Sequence, residues 1–194
     1  MRRYAIAAVF LMLCASCSMP QTKIYSLVMP EEKPLPSASS GAPLNISVSS
    51  PRYLKQSYIA YRTSPYQTEI SRYSRWDGPP DDLVRGAFRD ALAASGLFRE
   101  VRVSPAAPSG YNTLEIDLKR FEREDEGDAS FARLLIVVRL RAEDGKELFV
   151  DTFSRKVRLP DRTFPELARA LSEALSGDIA QTKNAIAEAM KGVK

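Results

Sequence analysis

The chain contains no histidine at all. Ser-His-Asp and Cys-His nucleophile arrangements are therefore impossible, and so are histidine metal sites. Only two cysteines occur, Cys14 and Cys17, both close to the N-terminus. The body of the chain thus has no disulfide, no free thiol and no metal-thiolate site. Glycine is scarce at nine residues, and neither G-x-x-x-x-G-K-[ST] nor G-x-G-x-x-G is present, which argues against ATP hydrolysis by this chain. No cofactor is expected. What remains for catalysis is paired carboxylates, so the composition points away from an enzyme.

Long apolar runs are also missing, apart from one. Arg2 and Arg3 precede the apolar run Ala5–Leu13, which is too short to span a bilayer stably. Small residues Ala15 and Ser16 then lead to Cys17. That order resembles a lipobox cleaved by lipoprotein signal peptidase. Cys14 follows the bulky Leu13 and fits the pattern less well. The expected organisation is a leader over 1–16, a lipidated tether over 17–22 and one domain over 23–194. Removing Arg2 and Arg3 reduces 28 basic residues to 26 against 24 acidic ones, a formal charge of +2. That is no nucleic-acid-binding profile. From Cys17 to Ile24 the chain reaches at most ~25 Å, so the domain sits close to the membrane that holds its lipid.

Patterning within the domain predicts a mixed α/β fold (α+β). Short strands are read at Ile24–Val28 and Leu44–Ser49, with a Pro/Ser-rich loop over 30–43 between them. Tyr58–Arg62 and Gln67–Tyr73 read as a strand pair broken at Ser64-Pro65. Leu83, Val84, Ala87, Phe88, Ala91 and Leu92 recur at helical spacing, with Asp81 and Asp82 in the first turn and Gly96 as the stop. A short strand follows at Val101–Val103. Leu114–Leu118, Phe131–Ala142 and the strand through Phe149, Phe153 and Val157 form an antiparallel meander, turned at Asp144-Gly145. Leu135 and Val137 on the second face suggest a strand covered on both sides. A final helix runs from Phe164 to about Met190, with Leu167, Leu171, Leu175, Ile179, Ile186 and Met190 as its stripe. The expected layout is three layers with a mixed sheet and two main helices.

Two clusters could carry chemistry. Glu122, Glu124, Asp125, Glu126 and Asp128 lack EF-hand spacing and read as a solvated turn, so no metal site is expected. Tyr58, Tyr61, Arg62, Tyr66, Arg72, Tyr73, Arg75 and Trp76 crowd into twenty residues. Tyr, Trp and Arg anchor interfaces, and Tyr61, Arg62, Arg72, Tyr73, Arg75 and Trp76 are the candidate partner-binding residues. The competing reading is a tyrosine-rich sheet packing on itself.

Five segments also carry a family resemblance: K-I-Y-S-L (23–27), I-S-V-S-S-P-R-Y-L (46–54), Y-I-A-Y-R-T-S (58–64), R-Y-S-R-W-D-G-P-P (72–80) and L-x-x-S-G-L-F-R-E-V (92–101). In order and spacing they resemble the ABC-type transport auxiliary lipoproteins, the PqiC-like intermembrane transport lipoproteins. Lys55-Gln56-Ser57 departs from the Asp-Arg-Pro-like turn of many members. The resemblance implies a non-catalytic, periplasm-facing lipoprotein. Its partners would be an ABC permease, its ATPase and a mammalian-cell-entry (MCE) domain protein, moving lipids or other hydrophobic molecules between the membranes. Ser18 after the acylated cysteine resembles the outer-membrane sorting pattern. The bilayer is then a partner through acylated Cys17, and a homo-oligomer is left open. Two other readings are a ring-forming lipoprotein of a secretion or surface-polymer machine, and a carboxylate-based envelope hydrolase.

Overall fold

The computed structural model describes residues 20–31 and 42–191. The leader, Cys17 and much of the expected loop over 30–43 lie outside the described residues. The strands are β1 (Lys23–Tyr25), β2 (Leu44–Ser49), β3 (Tyr58–Ser64), β4 (Gln67–Trp76), β5 (Val101–Val103), β6 (Asn112–Glu126), β7 (Ala129–Arg141) and β8 (Glu147–Arg158). The helices are α1 (Pro80–Ala94) and α2 (Phe164–Lys191). Their positions follow the predicted elements closely, and the domain is α+β with a mixed eight-stranded sheet.

Strand β6 organises the sheet. Along one edge it pairs antiparallel with β7, from Thr113↔Arg141 to Glu126↔Ala129. Its other edge is shared: the first half pairs parallel with β2, and Arg123 and Glu124 pair parallel with β3. Beyond β3 come β4, antiparallel, and then β1, parallel to β4 at Lys23↔Ser74 and Tyr25↔Trp76. β8 completes the meander on β7. A bulge between Leu118 and Arg120 shifts the period of β6 by one. Leu114, Ile116 and Leu118 face the core before it, and Phe121 resumes that face after it.

Both helices cover the same face. α1 packs on β2 and β5, α2 on β7 and β8, and the two touch each other. Val84, Phe88 and Leu92 from α1 join Leu167, Leu171, Leu175, Ile179 and Ile186 from α2 in one buried cluster with Leu134, Ile136, Val138 and Leu140 of β7. The layout is therefore a helix pair on a sheet, where three layers were expected. Leu135 and Val137 are half-buried, not enclosed. Neighbouring positions explain this: Glu115, Asp117, Arg133 and Arg139 share the outer face, and their long stems shield the intervening apolar residues while their heads stay wet.

Local rules account for the element ends. Pro80 opens α1, where its missing N–H is not needed, and Gly96 follows the helix at φ 69°, the left-handed stop that glycine accepts without cost. Asp81 and Asp82 do lie in the first turn, but Asp81 is buried and accepts from Ser50. Among the described residues no helix is long and apolar enough to cross a membrane.

Candidate functional site

The six candidate residues lie on the β3–β4 hairpin, and the structure divides them into three environments. Trp76 is core. Its side chain is 2% exposed and meets Phe121 edge-on with ring centroids 5.3 Å apart. Its ring therefore presents no surface to a partner.

Tyr61 and Arg62 are tied into internal networks. Tyr61 donates its hydroxyl to Glu69 at 2.8 Å, and that hydrogen bond, helped by desolvation, raises its pKa. The Arg123 guanidinium stacks 5.1 Å from the Tyr61 ring and 5.1 Å from the Phe164 ring. Arg62 donates through Nε to Glu122 at 3.0 Å. Glu122, expected in a solvated turn, has a fully buried side chain. Tyr53 donates to its second oxygen at 3.1 Å. Burial and the charge of Glu122 push the Tyr53 phenol well above its ordinary value. This network fills the place where β2 gives way to β3 along β6, so it stitches the split edge of the sheet. The turn expected over 122–128 is in fact the end of β6. Only Gly127 and Asp128 turn, with Gly127 at φ 57°. Continuing the two-residue period past the bulge would have put Glu122 and Glu124 on the face of Arg133, which Glu124 meets at 3.0 Å.

Arg72, Tyr73 and Arg75 are exposed. Arg75 sits over the Tyr58 ring at 4.8 Å. Among the described residues neither Arg72 nor Arg75 has a carboxylate in an ion pair with it. The register places Ile24, 68% exposed, beside Arg75, which in turn faces Tyr58. Ile70 and the hairpin-tip Tyr66, 51% and 97% exposed, extend this surface. Such a mixture of unpaired guanidinium, tyrosine and exposed aliphatic groups suits binding, since desolvating it requires no existing ion pair to break. Among the described residues no group of three or more metal-ligating side chains is assembled.

Two of the hollows among the described residues differ in how their charges are matched. One, of about 720 Å³, lies where β5 leaves β2, lined in part by Ser47, Val48, Arg85, Val103, Glu115 and Arg139. Its charges are internally matched: Arg139 holds Glu115, and Arg85 holds Asp82. The other, of about 460 Å³, lies between β1, β4 and the start of α2.

Comparison with known proteins places this geometry. The family model described as ABC-type transport auxiliary lipoprotein component matches residues 25–183. A crystal structure of a DUF330 protein from Xanthomonas campestris superposes with a TM-score of 0.73 at 19% identity, covering 89% of this chain and 100% of that one. An uncharacterized protein of known structure gives 0.66 at 18% identity, covering 86% and 99%. A PelC dodecamer from Paraburkholderia phytofirmans gives 0.47 at 16% identity, covering 78% and 91%. At 19% and 18% identity the likeness to the first two is one of fold. No curated protein matches the chain at a significant level. The five short segments found in the sequence, the α+β domain and the match over 25–183 agree, and the chain belongs to the ABC-type transport auxiliary lipoprotein component family.

Proposed function

We propose that this protein is a non-catalytic adaptor of an envelope transport system, anchored to a membrane by lipid on Cys17. The observation that carries the reading is the family match across residues 25–183. The lipobox-like Ala15-Ser16-Cys17 supports the anchor, and Ser18 after it supports the inner leaflet of the outer membrane as the destination. Three acyl chains would hold it there stably, since two membrane signals already suffice.

In this reading the domain receives the periplasmic end of a transporter built from an ABC permease, its ATPase and an MCE-domain protein. The cargo is a lipid or another hydrophobic compound. The exposed Arg72, Tyr73 and Arg75 form the protein-docking surface, with Ile70 and Tyr66 beside them. Trp76 supports this surface from beneath.

The test is affinity isolation of the intact lipoprotein from gently solubilised envelopes. Recovery of permease, ATPase and MCE-domain subunits is the expected result, with weaker recovery by the Arg72→Ala, Arg75→Ala double variant. Recovery of secretion or polymer-export subunits in their place would overturn the transport reading. Undiminished recovery of transport subunits by a folded double variant would overturn the docking surface alone.

A further inference from the structure

The groove between β1, β4 and the start of α2 opens at the place where the chain departs for its N-terminus. Pro20 stands on its rim. Lys23 and Arg162 supply positive charge, Tyr25 and Tyr73 aromatic walls, and Ser74 and Thr163 hydroxyl groups. Among the described residues no carboxylate lines it. Asp161 adjoins it in sequence, but accepts from the Thr163 hydroxyl at 2.5 Å and the Thr163 amide at 2.9 Å. Arg162 is exposed and donates one guanidinium nitrogen to the Gly127 carbonyl. Lys23 is exposed and has no ion pair among the described residues.

Distance fixes what such a groove meets. Three chain steps separate Cys17 from Pro20, at most ~11 Å when extended. The polar headgroup zone of one leaflet is about 5–7 Å deep. A chain acylated at Cys17 can therefore lay the mouth of this groove at headgroup level. A cationic, hydroxyl-lined hollow at that depth is complementary to a phosphate. The 720 Å³ cleft, with its matched charges, lacks that complementarity.

We propose that this groove seats the phosphate headgroup of an anionic phospholipid in the bilayer that holds the protein. The inference rests on the anchoring at Cys17 put forward above and adds an orientation to it. Lipid meets Lys23 and Arg162 on the helix-bearing side of the corner. Arg75, beside Ile24 and Tyr58, stays free on the sheet's outer side for protein. Tyr73 walls the groove at the boundary between the two.

The full lipidated chain, reconstituted in vesicles, provides the test. Cys14 and Cys17 are the only cysteines, so in the processed and acylated protein Gln21→Cys supplies the sole thiol for an environment-sensitive fluorophore at the groove's rim. In vesicles containing phosphatidylglycerol, the emission should shift to the blue and be quenched by headgroup-attached spin labels. In phosphatidylcholine alone both effects should be much smaller. Lys23→Gln with Arg162→Gln should reduce the docking equilibrium constant roughly 25-fold, about fivefold for each cation lost near the surface. Lys23→Arg with Arg162→Lys should retain docking.

Emission that is equal in the two vesicle types overturns the proposal. So does wild-type docking by the double Gln variant with an unchanged melting curve. Loss of the signal on adding soluble glycerol phosphate overturns the assignment to bilayer lipid in favour of a free phosphate compound. Mass spectrometry of the same sample separates the two layers of the argument. An unacylated Cys17 brings down the anchor and the groove together, whereas an acylated Cys17 with no lipid dependence brings down the groove alone.

Discussion

The β6–β7–β8 meander and the β1–β4 corner use the same residue type, arginine, under opposite conditions. In the meander, Arg120 and Arg133 hold Glu124, Arg139 and Arg141 hold Glu115, Arg155 holds Asp178, and Lys156 holds Glu126. At the corner, Lys23, Arg72 and Arg75 have no carboxylate in an ion pair among the described residues, and Arg75 rests on an aromatic face. These meander cations are matched within the fold, with Arg158 at the end of β8 the exception, so a partner would have to strip them from existing ions. Those at the corner are available. The difference teaches where to look for binding: the matching of charge, not its density, separates the two regions.

That contrast can be broken most forcefully at Trp76, which shares β4 with the exposed corner residues but points into the core. Trp76→Ala should destabilise the domain by about 3–5 kcal/mol, the range for deleting a buried aromatic. Urea unfolding checks this, and a loss below about 1 kcal/mol would contradict the core assignment. Glu122→Gln probes the matched kind of arginine. It should cost roughly 2 kcal/mol, less than breaking a fully buried pair because the Arg62 side chain keeps 17% exposure.

The same network gives a pH dependence. The folded-state pKa of Tyr53 is raised above its ordinary 10.0, first by burial and then by Glu122. Its contribution to stability is therefore complete below pH 10 and is lost as pH rises from there towards the folded-state value. Tyr53→Phe should flatten the decline of stability above pH 10 while leaving the neutral-pH shape unchanged. An identical alkaline slope in both proteins would contradict the linkage. The smallest stability effect belongs to Arg72→Ala and Arg75→Ala, each within about 0.5 kcal/mol in thermal unfolding. A larger loss would mean that the corner holds the fold together in the way the meander does.

Much of the fold was legible before any coordinates. Helical spacing from Leu83 to Leu92, alternation in Leu114–Leu118 and the Asp144-Gly145 turn are local signals, and each marks an element that is present. The layering was not legible, because Leu135 and Val137 look like core residues until the charged neighbours that shield them are known. Nor was the site. The aromatic-basic window was visible, but the facing of its members depends on an irregularity in β4, where the register jumps from Tyr58↔Arg75 to Ala60↔Ile70. Past such a break, parity no longer says which side chain turns inward, and so Trp76 and Arg75 could not be told apart. Arg62 and Glu122 lie 60 residues apart, and no local pattern reports a pair of that separation.

In the proposed function, the available cations at the corner are the binding surface of a membrane-anchored adaptor. The most direct measurement is photo-crosslinking in intact cells, with a photoreactive residue placed at Arg72 in one strain and at Arg139 in another. Crosslinks to envelope transport subunits from position 72, and none from position 139, are the expected result. Equal yields from the two positions, or partners captured only from position 139, would contradict it.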